Sequence, residues 1–140
     1  MNKYIYLIAP IAGWVVSQLL KLSLEEVSHR RPRLSDVLSS GSMPSSHMAG
    51  PAALLTVLGI HQGLTSPLFG LGFVYAVLVA YDSFGVRRMA AESAIAVKAI
   101  SRKLGTKESP AHLYQGHSVP EVGGGILVGF VVGLIINWLF

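Results

Sequence analysis

The chain is poor in several things at once. It has no cysteine, so a disulfide scaffold, a thiolate metal site and thiol chemistry are all excluded. Only 13% of its 140 residues are charged, about half the roughly 25% of a soluble domain, and only seven are acidic. What is there instead is apolar: 51% hydrophobic residues and a mean hydropathy of +0.55. A chain this short has too much surface for its volume to hide that content in one water-soluble core. The composition argues against disorder, an ordinary soluble domain or a second domain, and predicts one integral membrane domain over 1–140.

Four apolar runs stand out: Tyr4 to Leu22, His47 to Leu64, Pro67 to Tyr81 and Val122 to Phe140. A transmembrane helix needs about 20 apolar residues. The first run is long enough and lacks a cleavage signature, so it reads as an uncleaved span rather than a signal peptide. The second is marginal in length. Thr65-Ser66-Pro67 reads as a tight turn joining the second and third into a helical hairpin. In the last run Gly125, Gly129 and Gly133 recur every four residues, a spacing that lets another helix backbone approach closely.

Two polar stretches, 23–46 and 82–121, separate the spans. The second contains a helical pattern in which Val86, Met89, Ala90, Val97, Ile100 and Leu104 share a face. Arg87, Arg88, Lys98 and Arg102 lie elsewhere, which suits an amphipathic helix at the interface or packed on the bundle. Ser109-Pro110 follows as a break. The expected fold is therefore all-α: a polytopic bundle of about four transmembrane helices plus one amphipathic helix.

Four spans put both polar stretches on one membrane face. With Lys21 at its edge, that face holds ten of the eleven Lys and Arg residues, all seven acids and four of the five histidines. The positive-inside rule assigns such a face to the cytoplasm.

Four clusters lie there, and each has a plain structural explanation beside a chemical one. Lys21 with Arg31-Pro32 reads as a basic patch for anionic headgroups. Ser40-Gly41-Ser42-Met43-Pro44-Ser45-Ser46-His47 reads as helix capping by Ser45 or Ser46. It also sets a histidine and backbone N–H groups at a helix N-terminus, a ready anion site. Tyr81-Asp82-Ser83-Phe84-Gly85-Val86-Arg87-Arg88 reads as an anchor with Asp82 paired to an arginine. Gly116-His117-Ser118-Val119-Pro120-Glu121 reads as a capping box between Ser118 and Glu121. The same glutamate is also placed to orient His117 and sharpen it as a nucleophile. Two histidines, a carboxylate and several cations form a sufficient set for displacement at phosphorus, with the cations stabilising the transferring group. No metal or other cofactor is then required.

Taken together, Ser-Gly-Ser-Met-Pro-Ser-Ser-His at 40–47, Tyr-Asp-Ser-Phe-Gly-Val-Arg-Arg at 81–88 and Gly-His-Ser-Val-Pro-Glu-Val at 116–122 resemble the divergent branch of the type-2 phosphatidic acid phosphatase family. That branch is related to bacterial acid phosphatases and vanadium haloperoxidases. The match to the larger superfamily is looser. Lys21 and Arg31-Pro32 are separated by nine residues rather than six. Ser46 replaces the glycine of Pro-Ser-Gly-His, Glu121 replaces an aspartate, and Ala111 stands where the third motif has an arginine. Ala91-Glu92-Ser93-Ala94 also departs from the branch, where a Gly and a Gln are expected.

The resemblance implies a lipid phosphate phosphatase, hydrolysing a monoester or diphosphate. His117 would be the nucleophile, oriented by Glu121, and His47 the acid. Lys21, Arg31, Arg87 or Arg88, and Ser46 would hold the phosphate, and Asp82 would orient an arginine. The expected partners are the bilayer and a lipid phosphate, with no nucleic acid. A homodimer, with the glycine stripe as its interface, would complete a family core of six helices. Two other classes compete. One is a non-catalytic protein that binds anionic lipid or phosphate through the same basic face. The other is a small transporter, disfavoured because no span carries an ionisable residue near its middle.

Overall fold

The computed structural model describes residues 3–27, 43–106 and 118–140. Arg31 and His117 lie outside the described residues, as does the side chain of Arg88. The described part is helical: α1 (Ile5–Val27), α2 (Ser46–Gln62), α3 (Pro67–Tyr81), a π-helical turn (Asp82–Val86), α4 (Arg87–Lys103) and α5 (Val119–Leu139).

Among the described residues, three stretches are long and apolar enough to cross a membrane: Ile5–Leu24, the continuous helix Pro67–Lys103, and Val119–Leu139. The remaining helix, α2, has 17 residues, about 25 Å of rise. It is the centre of the bundle. α1 and α5 pack on it and on each other, and α3 packs on another side of it. This is an integral membrane helix bundle, the architecture expected from the sequence.

Small residues explain how one short helix takes so many neighbours. α2 reads Ser-His-Met-Ala-Gly-Pro-Ala-Ala along its first two turns, and Ala49, Gly50, Ala52 and Ala53 are buried. Across from them lie Gly125, Gly129 and Gly133 of α5. A Cβ added at Gly129 would collide with the Ala49 carbonyl oxygen, and one at Gly125 with that of Ser45. The backbones are thus close enough for dispersion and Cα–H contacts, which is how helices associate where lipid supplies no hydrophobic drive. The glycine stripe is used within the chain, against α2. A homodimer would have to be built on another surface.

The turn between α2 and α3 forms as the sequence suggests. The Phe69 N–H donates to Ser66 Oγ at 3.1 Å, with Pro67 opening the helix. The boundary between α3 and the amphipathic segment differs from expectation. No loop starts at Asp82: the helix runs on through a π-helical turn, in which the Arg87 N–H donates to the Asp82 carbonyl. Nothing in 82–103 breaks a helix except Gly85, and one glycine costs only about 1 kcal/mol. The stop comes at Gly105, whose φ of 65° suits glycine. Gly105 N–H donates to Arg102 O and Thr106 N–H to Ser101 O, the paired bonds of a Schellman cap.

Candidate active site

The polar ends of α1, α2, α3 and α5 converge on one end of the bundle. Their link is the short segment 43–45, which enters α2. Ser17 Oγ of α1 donates to Pro44 O at 3.3 Å, and Ser45 N–H donates to Glu121 O of α5 at 3.0 Å. The Met43 and Pro44 side chains lie over Gly124, where an added Cβ would crowd Met43 at 3.1 Å. The segment is therefore clamped from two sides, which fixes where α2 begins.

Ser45 is the N-cap of α2, with extended backbone, and its carbonyl accepts from Met48 and Ala49 N–H. Its side chain makes no cap bond. Ser45 is fully buried, and its Oγ has no hydrogen-bond partner among the described residues. Buried hydroxyls are normally satisfied, so this orphan at a helix N-terminus is open to an acceptor or donor beyond the described residues. Ser46, the residue singled out from the sequence, is also buried, at the first helical position. Its N–H and that of His47 belong to the turn whose amides have no intrahelical acceptor. In the sequence Ser45 reads only as a cap. Its side-chain role depends on the cap bond being unmade, which no sequence pattern reports.

His47 follows on the first turn, half-buried. Its Nε2 lies 3.0 Å from Arg87 Nη1. Arg87 in turn donates from Nε to Asp82 Oδ2 at 2.6 Å. A carboxylate, a guanidinium and an imidazole thus stand in series, across forty residues of sequence. The π-helical turn makes this possible, since it puts Asp82 and Arg87 five residues apart yet facing each other. Asp82 is paired with an arginine, and that arginine is Arg87. A guanidinium only donates, so His47 Nε2 is the acceptor in this arrangement.

Lys21 is on α1, one turn beyond Ser17 and on the same inward face, and only 3% exposed. Gln18 beside it is buried as well. A lysine this deep is rarely tolerated without a polar environment. Ser83, also buried, donates to Val79 O at 2.7 Å. Glu121 Oε2 accepts the Ser118 N–H at 2.7 Å, one half of the capping box read from the sequence.

The structure thus brings His47, Arg87 and Asp82 into direct contact. It ties Glu121 to the Ser45-Ser46-His47 turn through the backbone, and it turns Lys21 inward on the helix that braces this turn. Such a set can bind an oxyanion by charge-assisted bonds and hold a histidine in a chosen tautomer.

A helical membrane bundle with this polar end defines a class that the family comparison makes specific. The chain belongs to the Divergent PAP2 family, whose model matches residues 2–132. It is 31% identical to the uncharacterized membrane protein YuiD of Bacillus subtilis (strain 168), over 96% of this chain and 94% of that protein. No solved structure matches it.

Proposed function

We propose that the protein is a membrane-embedded phosphatase acting on a lipid phosphate monoester or diphosphate through a phosphohistidine. In the first step a ring nitrogen of His117 attacks phosphorus. The bond to the leaving oxygen breaks, and His47 delivers a proton to that oxygen. In the second step His47 takes a proton from water. The water oxygen attacks phosphorus, the P–N bond breaks, and phosphate leaves with His117 restored. Glu121 orients His117. Lys21, Arg31, Arg87, Arg88, Ser46 and the newly found Ser45 hold the phosphoryl oxygens, stabilising the charge that builds there.

The observation that carries this reading is the Asp82–Arg87–His47 series at the start of α2, beside the buried orphan hydroxyl of Ser45. Arg87 reaches the acid histidine from a different segment than the superfamily's third-motif arginine, and it answers for the alanine at 111. Since Arg87 occupies Nε2, acid catalysis requires that nitrogen to be released. A bound phosphate does this naturally: it draws the guanidinium to its oxygens and leaves Nε2 to take a proton. A lipid substrate is supported by an apolar groove of about 550 Å3 lined by Ala52, Leu55, Gly59, Ile126 and Phe130. It begins five residues along α2 from His47, about 7.5 Å down the helix axis. An active-site face turned to the cytoplasm belongs to the same reading.

The test is a single-turnover reaction with lipid labelled at its phosphoryl group. A phosphorus label on the chain that survives alkali, is lost in acid, and is absent from His117→Ala supports the mechanism. No label, with lipid phosphate bound tightly by wild type and His117→Ala alike, supports a binding protein instead.

A further inference from the structure

The helix that leaves the polar end of the bundle carries a function of its own. Pro67–Lys103 is one continuous helix of 37 residues, about 55 Å long against a hydrocarbon layer of about 30 Å. Its character changes at the π-helical turn. α3 has no charged residue, whereas α4 has five basic residues (Arg87, Arg88, Lys98, Arg102 and Lys103) against one acid, Glu92.

At 100° per residue, Met89, Ala96, Val97, Ile100 and Leu104 fall within an arc of about 100°, with Arg87, Lys98 and Arg102 opposite, Ile95 among them, and Lys103 at the edge of the apolar arc. Among the described elements, α4 packs appreciably only against the π-helical turn. Its apolar arc is open: Met89 is 63% exposed, Val97 61%, Ile100 56% and Leu104 71%. Water contact along such a face is unfavourable, so something covers it.

The geometry points to the membrane itself: we propose that α4 lies on the bilayer that holds the bundle, with its apolar arc in the headgroup boundary and Lys98, Arg102 and Lys103 on anionic lipid headgroups. Two arguments favour this occupant. α3 with its π-helical turn gives 20 residues, about 30 Å, enough to reach across the hydrocarbon layer, so α4 begins where that layer would end. Its excess of positive charge complements an anionic surface, and a basic face opposite an apolar one is the pattern of interfacial helices. Lying down requires a bend between α3 and α4, and helices bend at π-helical turns. Because Arg87 is the first residue of α4 and contacts His47, the orientation of α4 on the surface is joined mechanically to the polar end of the bundle.

The test needs no enzymatic assay, and the absence of native cysteine makes it direct. The full chain is placed in nanodiscs of phosphatidylcholine alone or in an equal mixture with phosphatidylglycerol. An environment-sensitive fluorophore is attached at Ile100→Cys, Met89→Cys or Lys98→Cys. In the anionic discs the labels at 100 and 89 should shift to the blue and resist an aqueous quencher, while the label at 98 stays accessible. Arg102→Gln and Lys103→Gln, both at exposed positions, should each weaken that protection by about fivefold, as expected per basic residue at such a surface. High salt should do the same. Labels at 100 and 89 equally quenched in both kinds of disc would overturn the proposal. Equal protection in both would overturn the role of anionic lipid. Protection in detergent accompanied by a cross-link to a second copy would give the face to a protein partner instead.

Discussion

The same helices carry two very different ends. At one end α1, α2 and α5 enclose Ser17, Gln18, Lys21, Ser45 and Ser46, all buried. At the other, α1 and α2 close over Ile5, Ala9, Ala53 and Val57, with Tyr6, Leu54 and Ile136 packed around them. Tyr6 Oη there accepts a hydrogen bond from the Gln62 amide at 2.8 Å, in an exposed position. The apolar end is what a membrane bundle needs to hold together. The polar end runs against that need, because buried hydroxyls and cations cost stability unless they are paired. Under the proposed function, the lysine, the serines and the Asp–Arg–His series gathered at one end serve chemistry rather than packing.

Substitutions at the two ends should therefore separate activity from stability. The largest effect is expected from His47→Ala. It should lower phosphate release about 10²–10⁴-fold, the range for loss of a general acid, with little change in melting temperature. Next comes Ser45→Ala. Its hydroxyl makes no cap bond, so stability should hold or rise. Affinity for the phosphate headgroup should fall roughly tenfold to a hundredfold, the value of one hydrogen bond to a charged group (measured as KM and as binding of a non-hydrolysable analogue). The smallest effect is expected from Tyr6→Phe, the matching hydroxyl deletion at the other end. It should cost about 0.5–1 kcal/mol in a detergent denaturation assay and leave phosphate release unchanged. Equal losses of activity at Tyr6 and Ser45 would erase the distinction between the ends.

Much of this molecule is written in local patterns. The apolar runs, the Ser66-Pro67 turn and the four-residue glycine spacing depend only on neighbours in sequence, and the structure uses each of them. Where the glycines dock is a tertiary matter: they meet Ala49 and Thr56 of α2, whereas their spacing alone reads as helix packing without naming the partner helix. The helix through 82–86 was hidden for a similar reason. A polar segment after a span reads as a loop, and only the i to i−5 bonding shows the chain continuing. The stop after α4 comes at Gly105, one glycine among fifteen, and the Ser109-Pro110 break lies outside the described residues. Of the candidate site residues, the Asp82 partnership was legible because it is local. The contact of Arg87 with His47 was not, since it joins two helices, and neither was the burial of Lys21, which depends on how α1 faces α2.

The account rests most heavily on the polar end being catalytic. The direct measurement is phosphate release by purified protein from a panel of lipid phosphates, with EDTA present, for wild type and His117→Ala side by side. The account predicts release by wild type from at least one lipid and its loss in the variant. Release that persists unchanged in His117→Ala, or no release from any lipid by a protein that still binds them, would contradict it.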